Sequence, residues 1–497
     1  MRRYLKKNFI ELTDSIKEMH QVIGGSVNIQ ELQDFLAQLQ QAAISIGEAL
    51  EGEKEDYSEI VSYLEKYCEL VYQYGMCQEE AEKILTFNQL EEQLEIIRKG
   101  IIDEVIEDKL KVAIMPYKAD MWTSLASIWE AAQSDSECEV KVIPIPYYKI
   151  GNPENIEFVY EGERFPKEVE ITFYEDYVLE TEYPDMIFIH NPYDGANTLT
   201  RVPEYYYSSN LKNYTDKLIY CPYHTIGSFN PKTNGILFFS PGIIKADYVV
   251  AQSEGVKRIL EQCGKDSRKI LTFGSPKIDA VVHNEKRAYS AAKDWQEKLA
   301  GKKVFLLNTH FSYFQKAFKC SSGMDNQAVQ FHQEILNIYL KNEDCALIWR
   351  PHPLLKSSLT AGFPEILDFV SYFENEVRNA DNGIVDESGD YFDAFYCSDA
   401  LISTWSSLIN EYMVTKKPIL IMQKKMPQDI EQQSPLKRNI NYFRLGEEYI
   451  SFEQFRDNVL TGKDPLYEKR IEAVQEAFPN LDGSAGEKIY SFLKGLY

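Results

Sequence analysis

Two successive sets of short apolar runs, with helical stretches between the runs, constrain this chain more than any other feature. Lys111–Pro116, Val140–Ile145, Met186–His190, Lys217–Cys221 and Tyr248–Gln252 form the first set. Lys303–Asn308, Ala346–Arg350, Ala400–Ser403 and Pro418–Met422 form the second. Helix-forming segments such as Met121–Ala132, Ser253–Cys263, Gln327–Leu340 and Ser406–Thr415 lie between them. Strands alternating with helices argue for a parallel sheet covered on both faces. Two such sets predict two consecutive α/β domains with a cleft between them. The charged stretch His283–Gly301 is the expected hinge connection, and Asn155–Tyr183 is irregular enough to insert a hairpin.

Before Lys111 the period is different. Leu5, Phe9, Leu12, Ile16, Met19 and Ile23 step by four and three, which lines one face of a helix. Beyond a break at Gly24 the stripe resumes as Leu32, Leu36, Leu39, Ala43, Ile46 and Leu50. Ile60, Leu64, Tyr67, Val71 and Tyr74 form a third helix, and Leu90, Leu94, Ile97 and Ile101 a fourth. Short polar breaks between them predict antiparallel packing. A bundle of this kind suits oligomerisation or positioning. The basic start, Arg2, Arg3, Lys6 and Lys7, makes peripheral membrane contact a compatible second role. The expected organisation is a helical region over 1–108, a first α/β domain over 109–283 and a second over 284–497.

Charge removes one class of partner. Lys+Arg 53 against Asp+Glu 77 leaves a net charge of −24, whereas a nucleic-acid binder needs clustered Lys and Arg for phosphates. No stretch approaches the roughly 18 apolar residues of a spanning helix. The basic start meets Glu11, Asp14 and Glu18 without an apolar run, so no export signal is expected. The 8 cysteines contain no Cys-x-x-Cys pair, which predicts reduced thiols in a cytoplasmic protein and no zinc site.

Ligands of open parallel sheets bind beyond the carboxyl ends of the strands, so the residues that follow each strand are the candidates. After Ala346–Arg350 comes Pro351-His352-Pro353, two prolines holding one imidazole in an extended frame. After Ala400–Ser403 comes Thr404-Trp405-Ser406-Ser407, opening a helix that carries Glu411 one turn later. The two hydroxyls can cap that helix or, with its free N–H groups, hold an anion. After Lys217–Cys221 comes Pro222-Tyr223-His224-Thr225-Ile226-Gly227, a second strand-end histidine. His190 and His310 also follow strands and could line the same cleft, but a structural role is the expectation for both. Asp381, Asp386, Asp390 and Asp393 lack ligand-like spacing and read as solvated loop charge, so no metal is expected.

Arg350-Pro351-His352-Pro353 followed by Ser398–Ser407 resembles the CDP-glycerol glycerophosphotransferases, a GT-B family of teichoic acid synthesis. The family pattern is R-x-H-P, then a strand, D-Y-S-S and an acidic residue four positions on, a place filled here by Glu411. Gly274-Ser275-Pro276-Lys277-Ile278-Asp279 is similar to its G-x-P-basic-x-D segment, and His224 falls where the family carries W-H-G-T. Thr404 and Trp405 replace the Asp and Tyr of D-Y-S-S, and Tyr223 replaces the Trp of W-H-G-T.

The resemblance implies a GT-B fold, two Rossmann-like domains facing a cleft behind the helical region. The first domain would be the acceptor side, and the second would bind the CDP donor. It also implies transfer of glycerol phosphate, or a similar alditol phosphate, from a CDP-activated donor to a polymer or lipid-linked hydroxyl, without a cofactor. His224 would be the general base. His352, Ser406 and Ser407 would hold the diphosphate, with Arg350 and Lys277 as phosphate neighbours and Glu411 supporting the ribose or the helix start. A nucleotide-sugar glycosyltransferase of the same fold and a non-catalytic partner subunit are the alternatives. The resemblance also predicts that the C-terminal helix near Lys488–Leu496 crosses back to the first α/β domain.

Overall fold

The structure is a computed structural model that describes residues 1–497 except 25–28, 153–154, 198, 227–236, 286–292, 315–325, 353–354, 361–363, 425–439 and 447–448. Gly227, Pro353 and part of the expected hinge connection therefore lie outside the described residues. The chain forms two compact units, Met1–Lys111 and Val112–Tyr497.

The first unit is four helices: α1 (Arg3–Ile23), α2 (Ile29–Glu51), α3 (Ser58–Met76) and α4 (Glu80–Glu104). The stripes seen in the sequence form its core, with Ile16, Leu39, Ile46, Leu64, Tyr67, Leu90 and Ile97 all buried. α3 packs on both α2 and α4, and α1 on α2 and α4. His20, buried in α1, is joined to Tyr67 Oη at 2.7 Å. No helix among the described residues is long and apolar enough to cross a membrane.

The second unit carries two six-stranded sheets. The first contains β1 (Leu110–Met115), β2 (Cys138–Val142), β5 (Met186–Ile189), β7 (Lys217–Tyr220), β8 (Tyr248–Val250) and β9 (Ile270–Leu271), in the order β2-β1-β5-β7-β8-β9. Strands β3 (Tyr147–Asn152), β4 (Asn155–Val159) and β6 (Thr200–Arg201) make a small antiparallel sheet beside it. The inserted hairpin thus pairs Tyr147–Asn152 with Asn155–Val159 and begins earlier than the irregular segment suggested. Tyr147–Ile150 alternates facing residues against Ile156–Val159, which a hairpin needs.

The second sheet contains β10 (Lys303–Thr309), β11 (Cys345–Pro351), β12 (Gly383–Val385), β13 (Ala400–Ser403), β14 (Ile419–Lys424) and β15 (Tyr442–Leu445). Its order is β12-β11-β10-β13-β14-β15 with every neighbour parallel, the doubly wound Rossmann arrangement. Successive side chains go to opposite faces. Phe305, Leu307, Leu347 and Trp349 enter one core, and Val304, Leu306, Ala346 and Ile348 enter the other. Both faces are buried, which is why these strands read as unbroken apolar runs.

The C-terminal helix belongs to the far end of the sequence but packs on the first sheet's side. It runs over Ala485–Lys494 and lies against α5 (Ala126–Gln133). Tyr490 and Lys494 both reach Asp135, and Tyr497 Oη donates to the Asp185 carbonyl at 2.7 Å. This is the GT-B crossing.

Candidate active site

In a doubly wound sheet the ligand crevice opens where the strand order reverses. In the second sheet that place lies between β10 and β13. His310 follows β10, and Thr404, Trp405 and Ser406 follow β13. The His310 backbone N–H donates to Thr404 Oγ1 at 3.0 Å, which pins the two loops together. His352 leaves the adjacent β11, and its ring lies edge-on to His310 with centroids 4.7 Å apart. Phe311 covers the same imidazole at 5.0 Å. Burial, with His310 beside it, lowers the His352 pKa to about 4, so its ring is neutral at pH 7.

The segment after β13 was expected to be a helix over Ser406–Thr415. Its α-helical part, α7 by chain order after α6 (Pro276–His283), is only Leu408–Tyr412, and a 3₁₀ turn Met413–Thr415 completes it. Ser407 sits at the N-cap but its side chain makes no cap hydrogen bond. The Ser406 hydroxyl is buried without a hydrogen-bond partner. Capping therefore explains neither hydroxyl.

A second cluster joins the two α/β halves. Lys277, in the first turn of α6, donates through Nζ to the Tyr223 carbonyl at 3.0 Å. The same ammonium lies 3.2 Å from Glu411 Oε1, with side-chain exposures of 15% and 3%. Asn410 Nδ2 donates to Thr225 Oγ1 at 3.3 Å, and the Gln252 amide clasps the Ile226 backbone at 2.6 and 3.1 Å. The Lys277–Glu411 and Asn410–Thr225 contacts hold the His224 loop of the first half against α7 of the second, and the Gln252 bonds fix that loop within the first half. His224 Nδ1 is buried and meets no partner. Burial, then the Lys277 charge, lowers its pKa to about 4. The Tyr391 hydroxyl is pushed well above its usual value by burial and by nearby Glu411.

Arg350 is otherwise engaged. Its guanidinium donates to Asp386 Oδ2 at 2.6 Å, to Ser388 Oγ at 3.1 Å and to the Ser388 carbonyl at 3.1 Å. Asp386 is thus a buried ion-pair partner, where the sequence suggested a solvated loop charge. Asp390 accepts from the Phe392 N–H at 3.1 Å and starts a helix. Among the described residues no group of three His, Cys, Asp or Glu is placed to hold a metal. His190 has a structural position. Its Nε2 accepts from the Tyr117 N–H at 3.0 Å, so Nδ1 carries the proton and faces Ser124 Oγ at 3.1 Å.

Residues 239–494 match the family described as CDP-Glycerol:Poly(glycerophosphate) glycerophosphotransferase. The chain belongs to this family. The match contains all of the second sheet with its strand-end cluster, Lys277 and Glu411. The teichoic acid ribitol-phosphate polymerase TarL of Staphylococcus aureus is 25% identical over 241 residues, 47% of this chain and 39% of that protein. TarK, a second ribitol-phosphate polymerase of that organism, is 23% identical over 242 residues, 46% of this chain and 41% of that protein. The chain therefore spans 39% and 41% of these curated relatives' lengths. A solved UDP-N-acetylglucosamine 2-epimerase aligns with a TM-score of 0.50 and 15% identity over 78% of this chain and 97% of that one, a likeness of fold. The wall teichoic acid polymerase TagF aligns with a TM-score of 0.49 and 14% identity over 89% of this chain and 98% of that one.

In this glycerophosphotransferase-family chain, the residues proposed from sequence fall into two groups. His352 joins the strand-end loop that carries Ser406, through His310 and Thr404. His224, Lys277 and Glu411 form the other group, and Arg350 stands apart with Asp386. Sequence reasoning considered His310 as a cleft-lining residue but preferred a structural role, and the structure puts it against His352 and Thr404. The signal in the sequence was its place directly after β10; that β10 and β13 flank the reversal point is read from the sheet itself.

Proposed function

We propose that this protein moves glycerol phosphate or ribitol phosphate from a CDP-activated donor to a hydroxyl of a teichoic-acid-type acceptor, releasing CMP. The observation that supports this best is the strand-end cluster inside the family-matched residues: a neutral His352 in the same crevice as a buried, unpartnered Ser406 hydroxyl. The acceptor oxygen attacks the β-phosphorus, the bond to the bridging oxygen breaks, and CMP leaves with the electron pair. His224 takes the acceptor proton. Charge spreads over the phosphoryl oxygens in such a transfer, so fixed donors aimed at them lower the barrier. The Ser406 and Ser407 hydroxyls and the His352 N–H supply those donors. Lys277, steadied by Glu411, supplies positive charge. A polymer or lipid-linked acceptor places the protein at the inner face of the membrane, as a peripheral protein whose helical unit serves self-association.

The test is CMP release measured across CDP-glycerol, CDP-ribitol, UDP-sugars and CMP-sugars. A CDP-alditol should be turned over, and an excess of chelator should leave the rate unchanged. Turnover of a UDP-sugar alone would replace this reading with a glycosyltransferase, and rescue of a chelated enzyme by one divalent ion would overturn the metal-free mechanism. Nucleotide binding without turnover of any donor would favour a non-catalytic subunit.

Ser406 separates a structural hydroxyl from a ligand-binding one. Because it has no partner to lose, Ser406→Ala should change folding stability by less than about 0.5 kcal/mol, where removing a working cap would cost roughly 0.5–2 kcal/mol. A hydrogen bond to a charged phosphate is worth about 1.5–3 kcal/mol. The Ser406→Ala/Ser407→Ala protein should therefore bind the CDP donor about tenfold or more weakly, with cytidine affinity kept. Titration calorimetry with both ligands decides it, and equal losses would show that the serines act on the fold or the base.

A further inference from the structure

Asp279 closes the family-like segment that begins at Gly274, and no role in the transfer chemistry falls to it. It is fully buried, two residues beyond Lys277 on α6. At about 100° per residue the two side chains leave the helix on opposite faces. Lys277 faces Tyr223 and Glu411, and Asp279 faces the other way.

There its carboxylate gathers three donors from two other helices. Ser127 Oγ of α5 donates at 2.8 Å. The backbone N–H groups of Ala485 and Gly486, in the first turn of the C-terminal helix α8 (Ala485–Lys494), donate at 3.1 and 2.8 Å. A carboxylate suits this position because it only accepts, through two oxygens. An amide would turn an N–H towards these donors. The approach of α8 is close enough to demand glycine. A Cβ on Gly486 would lie 2.2 Å from Ser127 Oγ and 2.5 Å from the Ser127 carbonyl carbon. Burial raises the Asp279 pKa in spite of these bonds. A site that accepts the cost of burying a carboxyl, and that brings three segments together on it, fixes geometry. Asn480 adds a bond from its side chain to the Phe273 carbonyl, beside the same crossing.

We propose that Asp279 is a positioning residue for the candidate active site: by locking α6 to α5 and α8 it fixes where Lys277 meets Glu411 and the His224 loop. Its catalytic consequence rests on the transfer reaction proposed above, whereas its structural consequence does not.

Timed acylation of lysines, followed by peptide mass spectrometry, tests it on the full chain. Lys265 is the internal reference, being half-buried and bonded to the Ile243 and Ala246 carbonyls that precede β8. In Asp279→Asn, Lys277 should label about fivefold faster or more while Lys265 is unchanged, and kcat for the CDP donor should fall by about tenfold. Ser127→Ala, which removes one of the three donors, should move Lys277 labelling in the same direction by less, and it serves if Asp279→Asn does not fold. Equal acceleration at both lysines would mean general loosening, and no acceleration at Lys277 would mean no coupling along α6. Either result overturns the proposal. Selective labelling in a protein whose wild type turns over no CDP donor would uphold it and reject the transfer reaction.

Discussion

Changing His224 to Ala is expected to lower kcat by about 10²–10⁴, the range that a general base contributes. The pH dependence carries more information than the rate. In the free protein, burial and then the Lys277 charge hold the imidazole at about 4, so it is neutral and able to accept a proton throughout the neutral range. The acid limb of kcat/KM should therefore lie near 4, well below the 6.5 or so of an ordinary histidine. Bound donor brings a diphosphate anion to the cleft, and a nearby negative charge favours imidazolium. The acid limb of kcat should accordingly lie above that of kcat/KM. His224→Ala should remove this limb, and His352→Ala should weaken donor binding while keeping it. An unchanged limb in His224→Ala would take the base role away from His224.

Stability titrates over a related window, and the sign is fixed. The folded pKa lies below the unfolded value near 6.5, so between the two the unfolded chain binds more protons. The His224 contribution is present above about 6.5 and is lost as pH falls through that window towards 4. His20 and His332, also lowered to about 4 by burial, act in the same direction. Acid unfolding is therefore shared among several histidines, and the kinetic profile alone isolates His224.

What the sequence made legible was local. A period of two or three and a half states which side of an element is buried, and each such statement needs only neighbouring residues. That is why the stripe from Leu5 to Ile23 and the runs around Phe305 and Leu347 predicted the bundle and the sheets. Arg350 shows the limit. Strand alternation puts it on the same face as Ala346 and Ile348, which was readable. That Asp386 stands just beyond β12 to receive it depends on β12 pairing with β11, which no local pattern states. Asn410 with Thr225 and Lys277 with Glu411 are harder still. They join separate sheets, and only the docking of the two halves brings them together.

That docking leads to the second large effect, at Glu411. With Lys277 and Glu411 only 15% and 3% exposed, the pair is largely removed from water. Removing one partner of such a pair leaves an uncompensated charge, at a cost of about 3–5 kcal/mol, whereas a surface pair is worth about 0–1 kcal/mol. Glu411→Ala should therefore lower the unfolding free energy by about 3 kcal/mol or more, read as a shift in urea midpoint, with little rescue by salt. Losing both charges is different, because apolar side chains of similar volume can replace a buried pair at little cost. Lys277→Met/Glu411→Met should regain most of the stability lost in Glu411→Ala and still show no CDP-donor turnover. Recovery of both stability and turnover would make the pair structural glue alone. A loss below about 1 kcal/mol in Glu411→Ala would mean that water reaches the pair and that the two halves are held together by other contacts.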